Sequence, residues 1–266
     1  MHLHLTGQTV AVIGSSNGIG RAIAEGFLAE GCTVRGFDRA LPTAPSPALA
    51  PAGSPSASFD TTLGDVTSFD QLKAFAATFP VINHVVFTVG VGSGKFGFPF
   101  WNLAPSDWAR VLDINLIGAV NVAHAFAPGL IARGAGSYLV LTSVAGQMGS
   151  QTDPPYSAAK AGLINFMQCA AKDFAPHNVR VNALAPGMVQ TALNESVWAA
   201  GQANLPASSR QPYADWAAEK IRKISPLGRW QTPTEFAAMA VYLASDYAKN
   251  ITGQTLNIDG GQIMHS

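Results

Sequence analysis

Tyr156 and Lys160 stand one helical turn apart in the stretch "PYSAAKAGL", which begins with the second of two consecutive prolines. Side chains at positions i and i+4 share one face of a helix, so the phenol and the ammonium are expected to lie in contact. An ammonium beside a phenol favours the phenolate, which makes the pair a candidate acid–base couple. A tyrosine and a lysine at this spacing, taken alone, more often make an ordinary amphipathic contact at the start of a helix. Other features of the chain are needed to choose between the two.

A glycine-rich turn near the amino terminus indicates a second kind of chemistry. In "VIGSSNGIGRA", Gly14, Gly18 and Gly20 follow an apolar run and open a helical pattern. Glycines at such a turn let the backbone approach a pyrophosphate, whose charge the N-terminus of the helix favours. The spacing is G-x-x-x-G-x-G rather than the commoner G-x-G-x-x-G, and glycines also serve ordinary strand–helix turns. In this strand–turn–helix context the pattern favours a dinucleotide site.

Asp38 lies 18 residues beyond Gly20, at the end of the next apolar run. An acidic residue about 20 residues after the glycine turn accepts hydrogen bonds from the adenosine ribose hydroxyls, and its charge repels a 2′-phosphate. The alternative is a solvated aspartate at a strand end. Arg39 follows at once and carries the opposite signal, because a basic residue can neutralise a 2′-phosphate. The strand-end position of Asp38 and the uncharged glycine turn favour NAD over NADP.

The glycine turn belongs to a regular alternation of short apolar runs with longer helical patterns. The apolar runs predict strands at residues 9–14, 33–38, 84–90, 137–143, 179–187 and 254–261. Helices are predicted at residues 18–31, 106–133, 156–174 and 233–244. Such alternation is typical of the α/β class: a Rossmann-like, doubly wound parallel sheet of about seven strands with helices on both faces. No break in composition divides the chain, so a single domain over residues 1–266 is expected.

Two segments interrupt this alternation. Residues 41–58 are rich in proline, alanine and serine, and they predict a mobile surface loop to which no chemistry is assigned. Residues 196–209 carry no charge and include Trp198. They predict either a core helix or part of a substrate lid, which would extend over residues 188–226.

The composition limits the kinds of partner and cofactor that the protein is expected to bind. The 266-residue chain has a formal net charge of zero, so no basic surface for nucleic acid is predicted. It has neither an HExxH motif nor a Cys/His cluster, so no metal is expected, and Cys32 and Cys169 suggest no disulfide framework. No apolar run reaches the roughly 18 residues of a membrane helix, and no signal peptide is recognised. The expectation is a soluble, cytoplasmic protein.

Two further polar residues join the glycine turn and the tyrosine–lysine pair. Ser143 lies 13 residues before Tyr156, at the predicted carboxyl end of a strand, where doubly wound sheets bind their ligands. Asn115 lies inside the predicted helix 106–133; by itself it indicates only an ordinary polar contact. Taken together, these features resemble the short-chain dehydrogenase/reductase family over nearly the whole chain.

This resemblance implies a role for each residue of the set. Tyr156 would be the general acid/base, and Ser143 would hold the substrate oxygen. Lys160 would bind the nicotinamide ribose and lower the pKa of Tyr156, while Asn115 would support a water-linked proton relay. Besides Tyr156 and Lys160, the implied cofactor-binding residues are Gly14, Ser16, Asn17, Gly18, Ile19, Gly20, Asp38, Arg39, Asp65, Val66, Thr88, Gly90, Pro186, Gly187, Val189 and Thr191.

Two positions depart from the family pattern. Ile13 stands where the family usually has a threonine before the first glycine. After the fourth strand the family has Asn-Asn-Ala-Gly, whereas this chain has "FTVG", with Thr88 and Val89 in place of asparagine and alanine. A threonine hydroxyl makes fewer hydrogen bonds than a carboxamide, so the two-sided bridge of an asparagine is expected to be lost at Thr88.

The proposed acid–base role of Tyr156 needs a strong local influence. An unperturbed tyrosine has a pKa of about 10, and a base near pH 7 requires a drop of roughly 3 units, or about 4 kcal/mol. A solvent-exposed ion pair supplies at most about 1 kcal/mol. Lys160 is therefore expected in a partly desolvated site, assisted by the positive nicotinamide ring of the oxidised cofactor.

The sequence thus predicts an NAD-dependent oxidoreductase that transfers a hydride between NAD(H) and a secondary alcohol or ketone. One alternative is a dinucleotide-binding regulator or scaffold without turnover, which would need no acid–base residue. Another is a sugar-nucleotide epimerase, whose family shares the tyrosine–lysine spacing. That family has a glycine turn resembling G-x-x-G-x-x-G and a larger C-terminal substrate region, neither of which is present.

The substrate stays open among polyols, sugars and 3-oxoacyl compounds, because the ending "DGGQIMHS" resembles family members that act on each. The loop after the fourth strand carries aromatic residues that could wall an apolar site or pack on the surface, namely Phe96, Phe98, Phe100 and Trp101. Lys95 in the same loop could meet an anionic group. The resemblance also implies a homotetramer in which the helices of Asn115 and Tyr156 pair between subunits.

Overall fold

One seven-stranded sheet organises the chain in the computed structural model, which describes residues 2–42, 57–95, 99–149 and 153–264. The strands are β1 (Thr9–Ile13), β2 (Thr33–Asp38), β3 (Ser58–Leu63), β4 (His84–Phe87), β5 (Gly136–Leu141), β6 (Val179–Pro186) and β7 (Thr255–Ile258). Their order is β3-β2-β1-β4-β5-β6-β7, and every pairing is parallel. The predicted doubly wound sheet and single domain are confirmed.

Eight α-helices connect and cover the strands in the described part of the chain. They are α1 (Gly18–Ala29), α2 (Phe69–Ala76), α3 (Ser106–Leu112), α4 (Gly118–Arg133), α5 (Pro154–Phe174), α6 (Ala192–Ala203), α7 (Tyr213–Ile224) and α8 (Pro233–Ala244). One apolar layer, which includes Phe27 and Phe236, joins α1 and α8 to one face of the sheet. The other layer, which includes Phe126 and Met167, joins α2, α4 and α5 to the opposite face.

The central strands are buried on both faces, which explains why the sequence shows them as continuous apolar runs. All four residues of β4 and four of the five residues of β1 are buried. A parallel sheet covered by helices on both sides requires this pattern. Because the strands are parallel, their carboxyl ends meet at one edge of the sheet, and the loops that follow them share that edge.

Several predicted boundaries differ from those of the structure. Strands β1, β4, β5, β6 and β7 end earlier than predicted, because the chain turns out of the sheet where the ladder to the neighbouring strand stops. Ser143 therefore lies two residues beyond β5 rather than at its last position. Of the predicted loop 41–58, residues 43–56 lie outside the described residues, and Ser58 is already the first residue of β3.

The predicted helix 106–133 is one continuous helix of 28 residues, and by length and composition alone it is apolar enough to cross a membrane. The sequence analysis expected no such segment. Within this fold, Val122, Phe126 and Leu130 of α4 are buried in the core, which accounts for much of the apolar character. Core helices of globular proteins share this property, so the helix does not by itself indicate a membrane.

Candidate active site

Helix α5 positions both members of the tyrosine–lysine pair near the carboxyl edge of the sheet. It begins at Pro154, with proline in the first turn, where a missing N–H is no loss to the helix. Lys160 is only 1% exposed, and its Nζ lies 5.5 Å from the centre of the Tyr156 ring. That Nζ also donates hydrogen bonds to the carbonyl oxygens of Leu141, at 2.8 Å, and Val89, at 3.5 Å. The predicted contact between ammonium and phenol is thus present.

The protonation equilibria of this pair are governed by burial. Burial lowers the pKa of Lys160 to about 7. Burial also raises the pKa of Tyr156 to about 12, a rise that a hydrogen bond with Ser143 opposes. Desolvation of the phenolate is thus the largest influence on Tyr156, and the lowering of its pKa by Lys160 together with the oxidised cofactor stays a prediction. At neutral pH, Tyr156 is a neutral phenol that can donate a proton.

Ser143 is held by the short turn that follows β5. It precedes a 3₁₀ turn, Val144–Gly146, and its Oγ accepts a hydrogen bond from the backbone N–H of Ala145 at 3.1 Å. The next residue of the loop, Gln147, exchanges two amide hydrogen bonds, each 2.8 Å long, with Asn257 at the carboxyl end of β7. This pair could not be recognised in the sequence, since the partners are 110 residues apart. The pair fixes the loop that carries Ser143.

Asn115 lies in a π-helical turn, Asp113–Ile117, between α3 and α4. Its side chain is fully buried and clasps the backbone of Val91, accepting from Val91 N at 3.2 Å and donating to Val91 O at 2.8 Å. The same Nδ2 donates to Val111 O at 2.8 Å. Such π-turns occur often at functional sites. The geometry makes Asn115 the inner support of the loop after β4, a connection stronger than an ordinary polar contact.

Asp153 is a member of the site that the sequence analysis did not single out. It stands at the N-cap position of α5, three residues before Tyr156, and its Oδ2 accepts a hydrogen bond from Ser93 N at 2.7 Å. Burial raises the pKa of its carboxyl. An aspartate directly before Pro-Pro is a recognisable helix-start signal. Its partner 60 residues earlier in the chain is not readable from sequence.

The glycine turn has the shape that dinucleotide phosphates require. Gly14 has a φ of +94°, which L side chains rarely adopt, and a Cβ at Gly20 would collide with the carbonyl oxygen of Gly14. The Asn17 side chain makes no capping bond at the N-terminus of α1. Backbone N–H groups at a helix start, together with the helix dipole, favour an anion there. A pyrophosphate therefore fits against Ser16, Asn17 and the first turn of α1, which includes Ile19.

Thr88 links the glycine turn to β4. Its hydroxyl lies 2.8 Å from the carbonyl oxygen of Ile13 and 3.0 Å from that of Gly14, and its backbone N–H also donates to Ile13. A hydroxyl has one proton to donate, so the two carbonyls share it. The two-sided bridge of an asparagine is replaced by a donor-only contact that still ties β4 to the turn. Gly90, two residues on, lies beside the Asn115 amide and the Lys160 amine.

The acidic and basic residues after β2 have separate partners. Asp38 Oδ2 accepts a hydrogen bond from the backbone N–H of Ser16 at 2.9 Å, so the carboxylate lies beside the glycine turn. Arg39 extends away from it and pairs with Asp65, with 3.6 Å between Nε and Oδ2. Val66, the next residue, is buried against Gly118. The structure thus brings together the four residues assigned to the adenosine end.

The segment after β6 approaches the glycine turn from the other side. Thr191 is the N-cap residue of α6, and its methyl group lies 3.7 Å from where a Cβ of Gly18 would stand. Val189 is buried and forms an isolated parallel bridge with Gln231. Gly187 packs closely on Asp259, where a Cβ would come within 2.7 Å of the Asp259 Cα. Together with Pro186, the last residue of β6, these residues lie at the carboxyl ends of the strands, between the glycine turn and β7.

Comparison with known proteins agrees with this geometry. Residues 13–262 match the family profile described as "Enoyl-(Acyl carrier protein) reductase". The 3-oxoacyl-[acyl-carrier-protein] reductase FabG of Thermotoga maritima is 31% identical over 266 residues, covering 98% of this chain and 100% of the relative. The chain belongs to the short-chain dehydrogenase/reductase family. Its class of activity is oxidoreductase on alcohol or ketone groups, and the comparisons give no support to a catalytically silent protein.

Solved structures of other short-chain dehydrogenases/reductases have the same fold. A candidate NAD(P)-dependent gluconate 5-dehydrogenase from Beutenbergia cavernae, described with NADP bound at low occupancy, has a TM-score of 0.81 and 28% identity, with 98% of this chain and 99% of that one covered. The ligand-free aldohexose dehydrogenase of Thermoplasma acidophilum has a TM-score of 0.83 and 26% identity, with 100% and 98% covered.

The substrate side of this short-chain dehydrogenase/reductase differs from the aromatic wall that the sequence allowed. Phe100 and Trp101 are 62% and 71% exposed and pack edge to face on each other at the surface. Phe96 and Phe98 lie outside the described residues. Lys95 is paired with Asp107 at 2.8 Å, so it is already neutralised by a carboxylate.

Helix α6 covers most of the uncharged segment 196–209, and it has no buried side chain among its described residues. The interpretation of this segment as a core helix is therefore wrong. Trp198 instead packs on Tyr213 of α7, with 5.7 Å between ring centres. A lid role for the segment stays a prediction.

Proposed function

We propose that the protein catalyses the reversible oxidation of a secondary alcohol to a ketone, with Tyr156 as the general acid/base and NAD as the preferred cofactor. The observation that carries the proposal is the buried Lys160 amine 5.5 Å from the Tyr156 ring, with Ser143 hydrogen-bonded to the phenol. A tyrosine so placed can exchange a proton with a substrate oxygen held by the same serine. Asn115 lies behind the pair, next to Gly90 and Lys160.

Each residue has a distinct task in this scheme. The nicotinamide cofactor would supply the hydride chemistry at the carbinol carbon, as acceptor in oxidation and as donor in reduction. Tyr156 takes the hydroxyl proton of the alcohol in oxidation and returns it to the ketone oxygen in reduction. Ser143 donates a hydrogen bond to that oxygen. Lys160 binds the nicotinamide ribose and, when protonated, favours the phenolate form of Tyr156. Asn115 supports the proton path behind the lysine.

The preference for NAD over NADP is supported by the position of Asp38. Its carboxylate lies at the end of β2 against Ser16 N, where a ribose diol can donate to it and a 2′-phosphate is repelled. Arg39 is partly neutralised by Asp65. The Beutenbergia relative is described as NAD(P)-dependent, with NADP bound at low occupancy. The remaining cofactor contacts are proposed for the glycine turn, Asp65–Val66, Thr88, Gly90 and the segment from Pro186 to Thr191.

The substrate is proposed to be a polyol, a sugar or a 3-oxoacyl compound. This range is supported by relatives named as a 3-oxoacyl-[acyl-carrier-protein] reductase and as an aldohexose dehydrogenase.

A homotetramer is proposed as well. It is supported by Ile117 and Ile131, which are 46% and 40% exposed on the long helix that includes Asn115. Light scattering of the purified protein measures the oligomeric state directly.

A location in the cytoplasm is also proposed. The exposed free thiol of Cys169 suits a reducing compartment of this kind.

The experiment that tests the proposal is a turnover assay with a matched pair of tyrosine variants. The purified protein is incubated with NAD and a panel of polyols, sugars and 3-hydroxyacyl thioesters, and the absorbance of reduced nicotinamide is followed. We expect turnover with at least one class, and a loss of at least about a hundredfold in Tyr156→Phe with cofactor affinity kept within a few fold.

The control is Tyr247→Phe, because Tyr247 is half-exposed in a turn that follows α8, and its replacement should leave turnover unchanged. Near-normal turnover in Tyr156→Phe would contradict the role of the tyrosine. Cofactor binding without turnover on any substrate would instead favour the regulator or scaffold.

A further inference from the structure

Asp153 is a carboxylate of the site that none of the proposed catalytic roles uses. Its Oδ2 accepts the backbone N–H of Ser93 at 2.7 Å, and it lies so close to Gly92 that a Cβ there would stand 2.7 Å away. Its Oδ1 is buried and has no hydrogen bond of ordinary geometry within the described parts of the chain. A buried carboxylate oxygen without a firm donor is unfavourable, and such atoms in native structures often have a functional reason.

The loop that Asp153 holds is also held at three other points. Asn115 accepts from and donates to the backbone of Val91, and Arg110 donates to the carbonyl oxygen of Gly92 at 3.3 Å. These two supports come from the long helix on one side of the loop. From α5, Lys160 Nζ lies 3.5 Å from the carbonyl oxygen of Val89, and Asp153 binds Ser93 further along the loop. The bond between Asp153 and Ser93 therefore helps to set the position of this part of the loop relative to the tyrosine.

Asp153 also acts on Tyr156 through its charge. Its negative charge raises the pKa of the Tyr156 phenol, adding to the larger effect of burial. The charged groups on the neighbouring elements are Lys160 on α5, Arg110 on α3, and the Lys95–Asp107 pair between the loop and α3. Of the carboxylates in these contacts, Asp107 is engaged by Lys95. Asp153 stands at the N-cap of α5, three residues before Tyr156, and no cation is bound to it in the described residues.

We propose that Asp153 is a positioning residue of the active site: its carboxylate fastens the loop after β4 to the start of α5, and its negative charge disfavours the Tyr156 phenolate. The consequence is a tyrosine kept in the protonated form, ready to donate to a ketone oxygen, while a smaller fraction of phenolate is present at a given pH to act as the base in alcohol oxidation. The inference rests on the proposed acid/base role of Tyr156.

Two substitutions separate the two parts of the proposal. Asp153→Asn keeps an oxygen that can accept from Ser93 N and removes the charge, whereas Asp153→Ala removes both. The matched control is Asp107→Asn, which neutralises a carboxylate on the other side of the same loop. Cooperative urea unfolding checks that each variant is folded. If Asp153→Ala does not fold, the comparison of Asp153→Asn with the wild type still tests the proposal.

The first readout is the pH profile of kcat/KM for alcohol oxidation. Removing the negative charge stabilises the phenolate, so the rising limb should move to lower pH in Asp153→Asn by at least about half a pH unit, as expected for one charge acting across the site. Asp153→Ala should show the same displacement and in addition a several-fold higher KM, because the loop is released. Asp107→Asn should leave the limb in place.

The second readout does not depend on turnover. In protein labelled with ¹³C at tyrosine Cζ, the Tyr156 resonance is assigned by its absence in Tyr156→Phe, and its titration should begin at lower pH in Asp153→Asn than in the wild type. Identical titrations of the two proteins, or an equal displacement in Asp107→Asn, would overturn the inference. Full turnover in Tyr156→Phe would overturn the proposed function and this inference together, so the two failures are distinguishable.

Discussion

Lys160 donates a hydrogen bond from Nζ to the carbonyl oxygen of Leu141, the last residue of β5, at 2.8 Å. The lysine is thereby held under the sheet edge, where burial lowers its pKa from the ordinary 10.5 to about 7. A protonated amine in this place lowers the stability of the folded chain. The same amine is the group proposed to act on Tyr156, so stability and function are opposed at this residue.

The first prediction is that Lys160→Met changes the pH dependence of stability. Between about pH 7 and pH 10 the unfolded chain keeps the lysine proton that the folded chain has lost. The free energy of unfolding of the wild type should therefore rise with pH, relative to the variant, by up to about 1.4 kcal/mol per pH unit. Urea unfolding of both proteins at several pH values measures the difference.

Lys172→Met is the matched control for this experiment, since Lys172 is exposed on the same helix. The difference in the free energy of unfolding between Lys172→Met and the wild type should not change with pH over the same range. A flat difference for Lys160→Met as well would mean that the amine remains protonated in the folded protein.

A second prediction concerns the clasp between Asn115 and Val91. Asn115→Leu keeps the approximate volume but leaves the N–H and carbonyl of Val91 and the carbonyl of Val111 without their partner in a buried place. An unsatisfied buried polar group costs about 1–3 kcal/mol, so the loss of three partners should lower the free energy of unfolding by at least about 3 kcal/mol. Urea unfolding at neutral pH provides the measurement.

Asn121→Leu serves as the comparison, because the half-buried Asn121 makes one such bond, to Val66 O at 3.0 Å. The free energy of unfolding of Asn121→Leu should be lower than that of the wild type by about 1 kcal/mol. Equal losses in the two variants would show that the loop after β4 does not depend on the Asn115 clasp.

The fold was predictable where burial leaves a simple trace in the sequence. Strands β1, β4 and β6 are covered on both faces, so apolar residues dominate all three, although β6 also contains Arg180 and Asn182. Strand β3 was missed because it lies at the sheet edge and alternates between exposed and half-buried residues such as Asp60 and Thr61. Helix α2 was missed because it is short, although Ser68 and Asp70 mark its start.

From the sequence, the candidate site could be predicted as a set of residues at defined spacings, but not as a set of contacts between them. Tyr156 and Lys160 are neighbours on one helix, so their contact follows from the 3.6-residue repeat. The direction of the Tyr156 pKa does not follow from spacing, because desolvation depends on every element packed around the phenol. Likewise, the contact of Asp153 with Ser93 joins residues 60 positions apart, and only the assembled sheet edge brings them together.

A third prediction tests whether residues 196–209 form part of a lid. A closing segment should be cut readily in the free protein and protected by cofactor plus substrate, since lids sequester the reacting groups. A protease that cleaves after arginine and lysine can reach Arg210, which is exposed and directly follows the segment. Cleavage after Arg210 should slow several-fold with both ligands, while cleavage after the exposed Lys249 stays constant. Equal cleavage after Arg210 in both states would identify the segment as a plain surface helix and loop.

The last prediction concerns cofactor choice, on which Asp38 and Arg39 carry opposite signals. Asp38 lies against Ser16 N beside the phosphate turn, whereas Arg39 is 69% exposed and already paired with Asp65. The repulsion between Asp38 and a 2′-phosphate, together with the lost contact to the ribose diol, should exceed the attraction of the exposed Arg39 guanidinium for that phosphate. We expect kcat/KM to be at least about tenfold higher with NAD(H) than with NADP(H), a difference of about 1.4 kcal/mol.

Three variants locate the origin of that preference. Asp38→Asn keeps an acceptor for Ser16 N but removes the charge, so it should narrow the preference by raising the efficiency with NADP(H). Asp38→Ala should narrow it further, because the contact to the ribose diol is also lost and the efficiency with NAD(H) falls. Arg39→Gln should change the ratio by less than either. Equal efficiency of the wild type with both cofactors, or a large loss with NADP(H) in Arg39→Gln alone, would mean that Arg39 and not Asp38 decides which dinucleotide this enzyme uses.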